Sequence, residues 1–215
     1  MKKALVVRGG WDGHEPVQTT DRFVEFLKKE GYDVRVEDNM DVYTDADYMA
    51  TVDVVIPCFT MSEITGDQCA GLMNAVANGT GIAGWHGGMC DAFRVDTNYQ
   101  YMTGGQWVSH PGGCIDYVVN VTDKNNPIMA GIEDFEMKNT EQYYMHTDPG
   151  NNVLATTTFS GEYDPHIEGT VMPVIWTRTW GKGKVFYTSL GHVAADFDND
   201  SCRTITERGI LWASR

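Results

Sequence analysis

Six histidines occur in the 215 residues, at 14, 86, 110, 146, 166 and 192, each beside glycine, proline or aromatic residues. Such surroundings are those of loops, and loops on a rigid scaffold are where binding and catalysis concentrate. His86 is the most informative. It lies in GIAGWHGGMC, where a short apolar run enters Gly84-Trp85-His86-Gly87-Gly88. A functional side chain among small residues, at a sharp strand-to-helix turn, is the pattern of a nucleophile elbow, whose centre normally holds serine or cysteine. An imidazole at that position can ligate a metal or carry a proton. His192 ends the run KVFYTSLGH and His14 follows ALVVRGGWDGH, so both also fall just past predicted strands. His110, in GGQWVSHPGG, stands in a loop with no evident packing duty. Glu141, in NTEQYYMH, is a carboxylate among Tyr143, Tyr144 and His146. Burial among rings raises the proton affinity of a carboxyl and suits acid or base work; pairing with Arg178 or Arg203 is the plainer alternative. No H-E-x-x-H spacing is present, so a metal site would have to be assembled from distant segments. Trp11 and Trp85 flank these histidines and are candidate sugar contacts, because indole faces stack on sugar C–H faces. Core packing accounts for the other tryptophans.

The five cysteines, at 58, 69, 90, 114 and 202, form no C-x-x-C pair. Neither a disulfide framework nor a cysteine zinc site is indicated, and reduced, partly buried thiols are expected. Thirty acidic residues against sixteen basic give a formal charge of −14. That charge disfavours nucleic acid and anionic membranes as partners, and no basic patch offsets it. The N-terminal apolar run, Ala4 to Val7, is too short for an export signal, which points to the cytoplasm.

The elements that must position these residues alternate along the chain. ALVVRGG, YDVRVED, DVVIPC and GIAGWH read as strands; residues 17–30 and 66–78 carry helical spacing and stop at Gly31 and Gly79. This order calls for a mostly parallel sheet with helices on both faces, and ligands in such sheets bind at the carboxyl ends of the strands. The second half is richer in strands: 114–123, 152–159 and 172–179 read as extended. WTRTWGKGKVFYTSL reads as a hairpin turning at Gly181-Lys182-Gly183. A last helix, DSCRTITERGILWAS, is expected to dock through Ile205, Leu211 and Trp212, capped by Asp200 or Ser201. Residues 1–215 make one domain; a boundary near 124 has little to support it.

The strings GGWDGHEP, GTGIAGWHGG, YMTGGQWVSHPG, NPIMAGI, TEQYY, MPVIWTRTWGKGKVFYTSLGH and GILWAS resemble the ThuA-like proteins, named for trehalose utilisation, over nearly the whole chain. The resemblance implies an α/β, flavodoxin-like sheet of the class I glutamine amidotransferase-like type, flanked by helices, with extra strands in the C-terminal half. It singles out His14, His86, His110, Glu141, Tyr144, Trp176 and His192. Relatives of this fold that hydrolyse glutamine carry cysteine at the elbow; His86 forms no thioester, so amidotransferase activity is not expected. Asn126 and Thr140 depart from the family pattern, where histidine and aspartate are common. The implied function is an enzyme of carbohydrate metabolism, a hydrolase, lyase or isomerase acting on a disaccharide or keto-sugar. His86, Glu141 and His192 are its catalytic candidates. Trp11, His14, Trp85, His110 and Tyr144 would bind substrate. A divalent metal, zinc by donor type, would be held by His14, His86 and His192, with no nucleotide cofactor. The partner is a small carbohydrate, and a homo-oligomer is compatible with the sequence. A sugar-binding or regulatory module without catalysis is the alternative. A cysteine hydrolase using Cys90 or Cys58 is a third reading, which the elbow position opposes.

Overall fold

The computed structural model describes residues 1–215. The strands are β1 (Lys3–Gly10), β2 (Asp33–Glu37), β3 (Val54–Thr60), β4 (Gly81–Trp85), β5 (Gly105–Ser109), β6 (Cys114–Val121), β7 (Phe135–Glu141), β8 (Tyr144–Thr147), β9 (Asn152–Thr158), β10 (Val171–Trp180) and β11 (Gly183–Thr188). The helices are α1 (Pro16–Lys29), α2 (Ala46–Met49), α3 (Gly66–Ala77), α4 (His86–Cys90), α5 (Thr97–Thr103) and α6 (Asp200–Ala213). Nine strands form one sheet in the order β2-β1-β3-β4-β11-β10-β9-β6-β7, and β5 pairs with β8 in a separate ribbon. The five strands from β2 to β11 run parallel, and the remaining pairings are antiparallel, which are the added strands of the second half.

Strand alternation divides the core into two layers. Ala4, Val6, Val54, Ile56, Ala83 and Phe186 face α1 and α6, which contribute Phe23, Leu27, Ile205 and Ile210. Leu5, Val7, Val55, Ile82 and Val185 face the other way, onto Leu72 and Val76 of α3 and Tyr99 and Met102 of α5. Two details differ from expectation. Helix α6 is capped by Asn199, whose Oδ1 accepts from the backbone N–H groups of Ser201 and Cys202 at 3.0 and 3.1 Å, so neither Asp200 nor Ser201 is the cap. It docks through Ile205 and Ile210, while Leu211 and Trp212 are only half-buried.

The hairpin turns where the sequence indicates, with Trp180 opposite Gly183. Strands β5, β7 and β8 and helix α5 carry no clear periodicity in the sequence. Strand β7 lies five places from β4 in the sheet order, about 24 Å away if the sheet were flat. Yet Glu141, at its end, lies 3.0 Å from His86. The antiparallel half therefore curls back over the carboxyl ends of the parallel strands. No helix is long and apolar enough to cross a membrane.

Candidate metal and substrate site

The parallel half brings His14, His86 and His192 to one rim. Strand β4 ends at Trp85 and α4 begins at His86, whose φ of 45° is the left-handed conformation that an L-residue adopts at a strained turn. Three contacts hold it there. Its carbonyl accepts from the Tyr187 hydroxyl at 3.1 Å, its Nδ1 lies 2.7 Å from the Ser189 carbonyl, and its ring stacks on Tyr143 at 3.9 Å. Gly87 must be glycine, since a Cβ there would meet the His14 ring at 2.6 Å. The His14 ring is fixed in turn by Thr60, whose Oγ1 lies 2.9 Å from Nδ1. His192 is placed by the loop after β11, its backbone N–H donating to Asp196 Oδ2 at 2.9 Å.

Glu141 is the carboxylate on which these imidazoles converge. Its Oε2 lies 3.0 Å from His86 Nε2, 3.4 Å from His192 Nδ1 and 3.8 Å from His14 Nε2, while Oε1 lies 3.6 Å from His110 Nε2. One ligand atom each from His14, His86, Glu141 and His192 falls within a mutual 4.8 Å. The pairing with Arg178 or Arg203 does not occur; those guanidiniums go to Asp148 and Asp200.

The tautomer of His86 decides what this cluster can do. A carbonyl only accepts, so His86 Nδ1 carries the hydrogen and donates it to Ser189. Burial pushes the His86 pKa down to about 3, against the opposing pull of Glu141, so the ring is neutral near pH 7. Its Nε2 is then a bare lone pair facing the Glu141 carboxylate. Burial would raise the Glu141 carboxyl, but the histidines around it outweigh that and hold it well below the usual carboxylate range. Two acceptors thus face each other at 3.0 Å, an arrangement that favours a cation between them. His192 is opposed by burial but raised by Glu141, and its Nδ1 makes no aligned hydrogen bond. Three imidazoles and a carboxylate are a donor set suited to zinc and its neighbours in the first transition row.

Above the cluster is a cleft of about 200 Å³, lined by Trp11, Met61, Asp91, Arg94, Trp107, His110 and Tyr143 with His14 and Glu141. A larger hollow of about 850 Å³ between α2 and α3 contains no histidine and lies apart from this chemistry. Among the sequence candidates, Trp11 stands at the lip, 46% exposed and 4.8 Å from the His14 ring. Trp85 does not reach the cleft. Alternation along β4 turns it to the α1/α6 layer, between Phe23 and Phe197 at 4.7 and 5.7 Å. Tyr144 is also displaced: it packs on Phe159 at 5.6 Å, and its neighbour Tyr143 faces the site instead. Trp176 is core, donating its indole N–H to the Thr103 carbonyl at 3.0 Å. Asp91, Arg94, Trp107 and Tyr143 are site residues that sequence reasoning misses; the spacing of Asp91 and Arg94 just past the elbow is the available signal.

A family model described as ThuA, trehalose utilisation, matches residues 3–213. A ThuA-like protein from Bacteroides uniformis superimposes with a TM-score of 0.79 at 17% identity, covering 99% of this chain and 91% of that one. One from Parabacteroides merdae gives 0.76 at 18%, covering 99% and 89%. A protein from Salmonella typhimurium described as cytoplasmic gives 0.67 at 13%, covering 99% and 100%. No curated sequence matches the chain.

Proposed function

The chain belongs to the ThuA (trehalose utilisation) family, and we propose, from the convergence of their ligand atoms, that His14, His86, His192 and Glu141 hold a divalent metal of zinc type. The cleft above them takes a disaccharide or its keto derivative for reaction. The observation that carries this reading is the contact of His86 Nε2 with Glu141 Oε2 at 3.0 Å, lone pair against carboxylate in a buried site. A bound divalent ion would polarise a carbonyl or hydroxyl oxygen of the sugar.

The chain's own groups do the rest. His86 is kept in the ligating tautomer by Ser189 and in its plane by Tyr143. His110 stands outside the ligand set, on the cleft side of Glu141, and carries a proton to or from the substrate. Trp11 offers its ring face to the sugar at the lip. Thiols take no part: Cys58 and Cys90 are buried, and burial pushes Cys58 up to about 12 and Cys90 higher still. We place the reaction in the cytoplasm, in keeping with five unpaired cysteines.

Zinc titration of chelator-stripped protein tests the centre. Wild type is expected to take up about one equivalent, and His86→Ala and His192→Ala to lose affinity by about 100-fold or more. Uptake by neither wild type nor variants, or equal uptake by all three, overturns the metal reading. A thermal-shift panel of trehalose and keto-disaccharides tests the substrate half, since a ligand at 100 times its Kd adds about 2.7 kcal/mol of stability.

A further inference from the structure

The cleft holds a second buried carboxylate, Asp91, which is 3% exposed and whose side chain bonds to Arg94 and Gln106 rather than to the histidines. Arg94 donates to it through Nε and Nη2 at 2.7 and 2.8 Å, a two-point pair, and Gln106 Nε2 adds a third bond at 3.1 Å. The guanidinium also lies over the Trp107 ring, 4.6 Å from its centre. Asp91 is anchored through its backbone as well, its carbonyl accepting from Met61 at 2.8 Å. Arg94 is therefore locked in plane and orientation, although its side chain is 44% exposed. Its Nη1 makes no hydrogen bond within the chain, and the residue lines the cleft beside Glu141 and His110.

A surface clasp would account for the ion pair alone. It does not account for the same wall carrying two buried polar atoms without partners, Trp107 Nε1 and His110 Nδ1. Such orphans are rare in folded proteins, and these two flank the cleft, where a polar ligand or water can supply the missing partners. Charge narrows the ligand. The positive charge of Arg94 is already matched by Asp91 at contact distance, and the whole chain carries −14, which repels anions at longer range. The two N–H groups of Nη1 are left as fixed donors for an uncharged oxygen.

We infer that Arg94, fixed by Asp91 and Trp107, is the specificity-determining donor of the cleft, giving Nη1–H to a hydroxyl or ring oxygen of one uncharged sugar ring. That hydrogen bond orients the ring toward the His–Glu cluster and selects neutral sugars over uronic acids. The inference rests on the carbohydrate reading above.

Calorimetric titration of the full chain, with and without added zinc, with trehalose, a keto-trehalose and glucuronate tests it in wild type, Arg94→Met and Arg94→Lys. Wild type is expected to bind a neutral sugar in preference to glucuronate. Arg94→Met should weaken that binding about tenfold or more, with Arg94→Lys recovering only part, because an ammonium cannot keep the two-point pair with Asp91. Zinc affinity should be unchanged in both variants. Equal sugar binding by wild type and Arg94→Met, or a preference for glucuronate, overturns the inference and leaves the carbohydrate reading standing. Failure of wild type to bind any of the three sugars overturns the carbohydrate reading, and this inference with it. Failure to bind zinc strikes the metal reading alone, since the comparison across variants stands without it.

Discussion

A histidine at an elbow position is useful only if its backbone tolerates the turn and its ring presents the right nitrogen. His86 meets both conditions through neighbours rather than through itself: Tyr187 holds the carbonyl, Ser189 fixes the tautomer and Gly87 leaves room for His14. Gly87→Ala should therefore lower zinc affinity at least about tenfold. The inserted methyl displaces the His14 ring, at an overpacking cost of about 1–3 kcal/mol, and zinc titration beside urea unfolding separates the two effects. Thiol chemistry gives a second check. Cys114 is the exposed cysteine, and the other four are buried. A thiol reagent should label Cys114 alone in the native protein and all five after unfolding, leaving zinc binding intact; fast labelling of native Cys90 would revive the cysteine reading.

Strand direction explains which site residues are legible in the sequence. Residues just past β1, β4 and β11 have to lie on one rim of a parallel sheet, so His14, His86 and His192 can be named from glycine-ended apolar runs. Period-two alternation also excludes Trp85, since Ala83 and Trp85 share a face; nearness in sequence to His86 obscures it. Tyr143 against Tyr144 is not decidable, because β7 and β8 show no clean alternation to say which ring turns inward. The paired cost of these assignments is measurable. Trp85→Ala should destabilise by about 3–5 kcal/mol. Trp11→Ala, at the lip, should cost under about 0.5 kcal/mol while weakening sugar binding. Beyond His192, the loop after β11 has no sequence signal for what Asp196 does. Asp196 Oδ2 accepts both His192 N–H and the Thr140 hydroxyl, at 2.9 and 2.6 Å, so one carboxylate joins His192 to the residue preceding Glu141. Glu15 accepts from Ala194 at 2.9 Å and ties the same loop to the His14 segment. Thr140 thus serves this link and takes no part in lining the cleft. Asp196→Ala should lower zinc affinity about 10–100-fold, and an unchanged affinity would remove Asp196 from any positioning role.

For the molecule as a whole, the cluster makes the metal-free protein acid-sensitive. His86 has a folded pKa of about 3 against 6.5 for an unperturbed imidazole, so the unfolded chain binds more protons between those values. Stability then rises with pH across that window, by up to about 1.4 kcal/mol per unit. Glu141, depressed, adds stability above its unfolded value near 4.5 and loses it as pH falls further. His192, raised, acts in the opposite sense: its contribution is full below 6.5 and fades as pH rises through its folded value. Urea midpoints of the stripped protein should fall steeply from about pH 6 to about pH 4, and in the His86→Gln variant the fall above about pH 5 should flatten. The reach of the four candidate ligands, from 14 to 192, has one more effect. Three of them share the rim of the parallel half, and Glu141 joins them only when the curled half of the sheet has closed over it. No partly folded chain owns the full set, so uptake of an ion by these four groups would be a timestamp of completed folding. An ion held there would buckle both ends of the polypeptide to its middle, and on zinc addition a protease probing either end should find the whole chain tightened at once.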